Sequence, residues 1–168
     1  MKRVAAWKIA LASAALALAA DAASAHHPPP PVVEDQAAEG GESDQYSQAV
    51  AAMDAGEYER ALDLFGQVVA AEPDNAAAYT NIGYIHRRLQ NFDLSLANYH
   101  QALAIDPEFT SAHEYIGEAY LEIDNLEMAE YHLRKLDLIC LFGCQDYDDL
   151  LQAVELYRAN APARKPTS

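Results

Sequence analysis

Apolar residues recur at helical spacing in six successive blocks between residues 44 and 139, with short polar breaks between them. The pattern predicts helices over 44–55, 58–71, 75–89, 92–105, 110–123 and 126–139, arranged as three antiparallel pairs. The turns Ala55-Gly56-Glu57, Gln90-Asn91 and Asp124-Asn125 are short enough to keep partners side by side, and Asp74-Asn75 and Thr110-Ser111 offer side chains suited to helix caps. Strand patterns are absent. The blocks also copy one another: 34 residues separate Gly83 from Gly117, Ile-Gly-Tyr against Ile-Gly-Glu, and the same interval separates Pro73 from Pro107. Repetition at this period predicts a solenoid of helical pairs, each of which buries its apolar face only against its neighbours. A further amphipathic helix is predicted over about 145–160, where Leu150, Leu151, Val154 and Tyr157 form a stripe able to cap the open end.

The middle unit, residues 76–109, carries Tyr79, Ile82, Gly83, His86, Ser95, Tyr99, Ala102 and Pro107. These resemble the tetratricopeptide repeat, which asks at those places for an aromatic, Leu-Gly, an aromatic, a small residue, an aromatic, Ala and Pro. Gly83 and Ser95 are small where helices must approach, and Pro107 cannot continue a helix. The unit over about 42–75 keeps Gly56, Tyr58, Ala61, Phe65 and Pro73, but has Gln45, Gln48 and Ala49 where the aromatic, Leu and Gly belong. The unit over 110–141 keeps Ile116, Gly117, Tyr120 and Ala129, with His113, Leu133, Leu136 and Leu141 at the remaining places. The resemblance implies an all-α fold, a short right-handed α-solenoid of helix-turn-helix repeats with a C-terminal capping helix.

It also implies a non-enzymatic protein-binding module without cofactors, whose first helices line a concave groove for a peptide or protein partner. The matching groove positions are Ala77, Thr80, Asn81, Tyr84, Arg87 and Arg88 in the middle unit and Ser111, Glu114, Tyr115, Glu118 and Glu122 in the next. Asn81 and Arg88 are expected to be exposed there. The alternative for Arg87 and Arg88 is that they neutralise nearby acids and stack on tyrosine. Chaperone-binding members of the family grip a terminal carboxylate with a Lys and Asn clamp, but Tyr46 and Ser47 stand at the matching places, so that activity is not carried over.

The chain ends change the picture of where this module works. Lys2, Arg3 and Lys8 precede an apolar run over 9–20, and Ala23-Ser24-Ala25 offers a small-x-small site, so residues 1–25 read as a signal peptide cleaved after Ala25. The run is too short to span a bilayer. A periplasmic or secreted protein follows, with no membrane partner after cleavage. Residues 26–43, His-His-Pro-Pro-Pro-Pro and then Gly and acids, read as a flexible leader, and 161–168 as a disordered tail. Cleavage leaves 8 basic and 25 acidic side chains, a formal charge of 8 − 25 = −17, which argues against nucleic acid as a partner.

Cys140 and Cys144 are the only cysteines. In an exported chain the pair reads first as a disulfide, with Leu141 and Phe142 suiting a buried clip and Gly143 easing a tight turn. Two competing readings stay open. One is a soft-metal site that adds His132, His26 or His27, although such sites normally need three or four placed ligands. The other is a redox-active dithiol. No nucleophile and base pair, phosphate loop or His-rich metal spacing supports catalysis.

Overall fold

The computed structural model describes residues 44–160, so the predicted signal peptide, leader with His26 and His27, and tail lie outside the described residues. Among the described residues the fold is all-α, with seven helices: α1 (Asp44–Asp54), α2 (Tyr58–Ala71), α3 (Ala76–Arg88), α4 (Phe92–Ile105), α5 (Thr110–Glu122), α6 (Leu126–Ile139) and α7 (Gln145–Asn160). Helices α1 and α2, α3 and α4, and α5 and α6 pack as pairs. Successive pairs stack through α2 on α3 and α4 on α5, and α7 packs on both α5 and α6. The result is a solenoid whose core runs along the stack.

The local chemistry explains the bounds. Asn75 caps α3, its Oδ1 accepting from the Ala78 N–H at 2.9 Å, and Asn125 caps α6 by accepting from Met128 N–H at 3.2 Å. The expected cap at Thr110-Ser111 is not formed. Phe109 is the N-cap residue without a side-chain bond, because the turn before α5 is closed instead by Asp106, whose Oδ1 accepts from Glu108 N–H at 2.9 Å. Each pair turns at a residue with positive φ, and these residues are again 34 apart: Gly56 at 74°, Gln90 at 60° and Asp124 at 64°. Only the first is the glycine that such a turn favours.

The glycines inside the helices mark the closest approaches. A Cβ on Gly83 would stand 2.7 Å from the ring of Tyr99, and one on Gly117 would stand 2.6 Å from Leu150. Tyr99 is fully buried against Tyr115, Ile116 and Ala119, which ties the second pair to the third. In the first unit Ala49 replaces glycine and is itself fully buried, beside Ala52, Met53, Phe65 and Val68.

Helix α7 is more than a lid. Its Tyr147, Leu150 and Val154 stand 34 residues after His113, Ile116 and Tyr120, so it continues the repeat as the first helix of a fourth unit. Leu150 and Val154 are fully buried with Ala129 and Leu136. That register was readable in the chain from Tyr147 alone, which occupies the place of Tyr79 and His113.

Candidate binding groove

The first helices α1, α3, α5 and α7 meet through a ladder of polar contacts between residues 35 apart. Asn81 donates to the Tyr46 hydroxyl at 3.0 Å, Arg87 Nη1 to Glu122 Oε1 at 3.1 Å, and the Ser111 hydroxyl to Asp146 Oδ2 at 3.3 Å. The interval is one more than the repeat because neighbouring helices are offset by about one residue where they face each other.

Arg87 is the centre of this ladder. Nη1 also lies 2.6 Å from Glu118 Oε2, and the guanidinium carbon is 5.7 Å from the ring centroids of both Tyr84 and Tyr115. Those two rings are themselves 5.7 Å apart. Burial alone would lower the Arg87 pKa, but the carboxylates of Glu118 and Glu122 outweigh it and hold the group charged. Burial raises Glu122 further than Arg87 lowers it, so its carboxyl sits above the usual range. Burial also pushes the Tyr84 and Tyr115 hydroxyls up, so both rings remain neutral donors. Chemically this is a closed acid, guanidinium and aromatic network, with the stems of Tyr and Arg supplying apolar area.

The predicted groove residues therefore divide. Thr80, Asn81, Tyr84, Arg87, Ser111, Glu114 and Tyr115 are buried, and Glu118 is nearly so. The expectation that Asn81 is exposed is corrected, since it is 6% exposed and bonded to Tyr46. The reading of Arg87 as an internal neutraliser describes its geometry, because stacking the helices brings acids from the next unit onto it. Arg88 is exposed and close enough to Tyr84 and Glu122 to influence both. Thr80 turns back on its own helix instead, donating to Ala76 O at 2.9 Å.

At the other end, Cys140 and Cys144 are bonded, with Cα atoms 5.6 Å apart, and Gly143 takes φ of 85° in the turn between them. The buried clip is corrected: Leu141 is 76% and Phe142 101% exposed, because Cys140 turns in against the α6 and α7 core and the following two residues point out. Of the alternative metal set, His26 and His27 lie outside the described residues. His132 is held between helices by His113, the two Nδ1 atoms 2.9 Å apart, and no group of three or more possible His, Cys, Asp or Glu ligands occurs among the described residues.

Two sequence profiles match this geometry, a tetratricopeptide repeat profile over residues 46–97 and a TPR repeat profile over 83–124. Residues 46–124 belong to the tetratricopeptide repeat family. The chain is 30% identical over 103 residues to an inactive TPR repeat-containing thioredoxin of Arabidopsis thaliana, a match covering 60% of this chain and 14% of that protein. The chain thus spans only about a seventh of that relative. Among solved structures, the Sgt2 TPR domain from Aspergillus fumigatus superposes with a TM-score of 0.63 at 21% identity, covering 74% of this chain and 84% of that one. The first TPR of Spaghetti (RPAP3) bound to an HSP90 peptide superposes with a TM-score of 0.60 at 19% identity, covering 68% and 90%. At these identities the likeness is one of fold.

Proposed function

We propose that this TPR solenoid is an exported protein-interaction module that receives a peptide or protein partner along the face of α1, α3, α5 and α7. The observation that carries the reading is the alignment of those four first helices on one polar and aromatic ladder, with the cationic Arg88 exposed beside it. The Spaghetti domain, which shares the fold, holds its HSP90 peptide as a TPR domain. Export rests on the signal pattern of residues 1–25 and on the Cys140 and Cys144 bridge, which suits an oxidising compartment. The ladder is preformed, so binding at its rim requires little ordering of this chain.

A photo-crosslinking residue placed at Arg88 should yield partner adducts in the exported fraction, while the same group at the exposed Gln101 of α4 should yield none. Equal yields from the two positions would place binding elsewhere. Mass spectrometry of the mature chain should find His26 first, and a retained Met1 in the membrane fraction would refute export.

A further inference from the structure

The end of α6 and the turn that leads to α7 carry three large apolar side chains that the solenoid does not use. Leu138 is 70% exposed, Leu141 76% and Phe142 101%. The repeat itself shows that the fold does not require them. The same places hold Ala104, Pro107 and Glu108 in the second unit and Ala70, Pro73 and Asp74 in the first, all six exposed. A small residue, a proline and an acid suffice to make this turn twice. In the third copy all three have become Leu, Leu and Phe at positions that face water, which is the signature of a surface kept for contact rather than for packing.

The tip is also held in shape. Besides the disulfide, Gly143 N–H donates to Cys140 O at 2.9 Å and Cys140 N–H to Leu136 O at 2.8 Å. A loop ordered before docking loses little freedom when it docks. Its rim is acidic: Asp137 and Asp148 are exposed and Asp149 half-buried, against Arg134 and Lys135. That excess of acid repeats the formal charge of −15 of the whole chain.

We propose that this tip is a second docking surface, separate from the groove, and that it takes a partner segment in which apolar residues are set among Lys and Arg. The apolar side chains would cover Leu138, Leu141 and Phe142 while the cations meet the acidic rim. A second copy of this chain would bring the same acids against these, and an anionic bilayer would be repelled by them.

The test uses the full exported chain with its disulfide intact and two synthetic peptides of equal charge, one of Leu and Lys in amphipathic order, the other of Ser and Lys. In fluorescence polarisation the Leu and Lys peptide should bind at least about tenfold more tightly, and Phe142→Asp should remove at least about tenfold of that affinity. Asp74 and Glu108 at the equivalent places make an acid structurally acceptable there, so helical circular dichroism should not change. Reduction of the disulfide should weaken binding, and Arg88→Glu should leave it intact, which separates this surface from the groove. Equal affinity for both peptides would mean charge alone and would overturn the proposal, as would full affinity in Phe142→Asp. A dimer in sedimentation that Phe142→Asp dissolves, or binding to phosphatidylglycerol vesicles, without preference for the Leu and Lys peptide, would overturn it in favour of those occupants.

Discussion

Acidification should loosen the packing of α5 on α6 before other parts of the solenoid, because His113 and His132 meet there as a neutral pair. His113 Nε2 lies 3.0 Å from the Pro107 carbonyl and must donate to it. In a neutral ring its Nδ1 is then an acceptor, so the bond of 2.9 Å between the two Nδ1 atoms is donated by His132. That leaves His132 Nε2 bare, buried and without a partner. A third proton finds no acceptor in this arrangement. Burial is the first cause that lowers His132, with His113, His100 and Lys135 adding to it, and together they bring it to about 3. His113 is also lowered, first by burial and then by Lys135, against the opposing pull of Pro107 and Asp106. Tyr120 and Tyr131 close the site around the His132 ring without contributing a counter-charge.

The sign follows directly. The unfolded chain takes up protons near 6.5, the folded chain only near 3 at His132, so the stability these rings support is complete above about 6.5 and is lost as pH falls towards 3. At about 1.4 kcal/mol per pH unit, descent from 6.5 to 5 removes about 2 kcal/mol at His132, with His113 acting in the same direction. This is a sizeable part of a total on the order of 5–15 kcal/mol. Glu122 opposes the trend, because its raised pKa makes the folded state the better proton acceptor. A double variant isolates the histidines: His113→Tyr with His132→Leu uses residues found at the same repeat positions, Tyr79 and Leu64. Urea denaturation at pH 7, 6, 5.5 and 5 should show the wild type losing stability and the variant losing about 2 kcal/mol less. Equal slopes in the two proteins would refute the neutral-pair reasoning.

Three further outcomes follow from the packing. Gly83→Ala sets a methyl 2.7 Å from the buried Tyr99 ring and should destabilise by about 1–3 kcal/mol in denaturant titration. Gln90→Gly relieves a left-handed residue at an exposed turn and should raise stability by about 0.5–1 kcal/mol, visible as a higher urea midpoint at unchanged slope. Arg87→Leu leaves the carboxylate of Glu118, only 11% exposed, against the apolar rings, and should lower stability by about 3 kcal/mol at pH 7.

Much of the architecture was legible in the chain because it is local and periodic. Apolar spacing and the breaks at Gly56, Gln90 and Asp124 locate the helices, and α2, α4, α6 and α7 begin and end where the pattern placed them. The interval of 34 residues from Gly83 to Gly117 and from Pro73 to Pro107 carries the repeat, since each copy must present the same surface to its neighbour. The partners across that surface are not local. Asn81 and Arg87 have the chemistry of groove residues, yet once the helices stack they face Tyr46, Glu118 and Glu122 from neighbouring units and disappear from solvent. His113 and His132 look like packing residues at ordinary helical positions, and only the close approach of α5 and α6 makes them one titrating pair. The same holds in reverse at the cysteine loop. Leu141 and Phe142 have the composition of a core, but the short bridge turns Cys140 inward and leaves no length of chain to bring those side chains back, so tertiary structure alone decides that they face water.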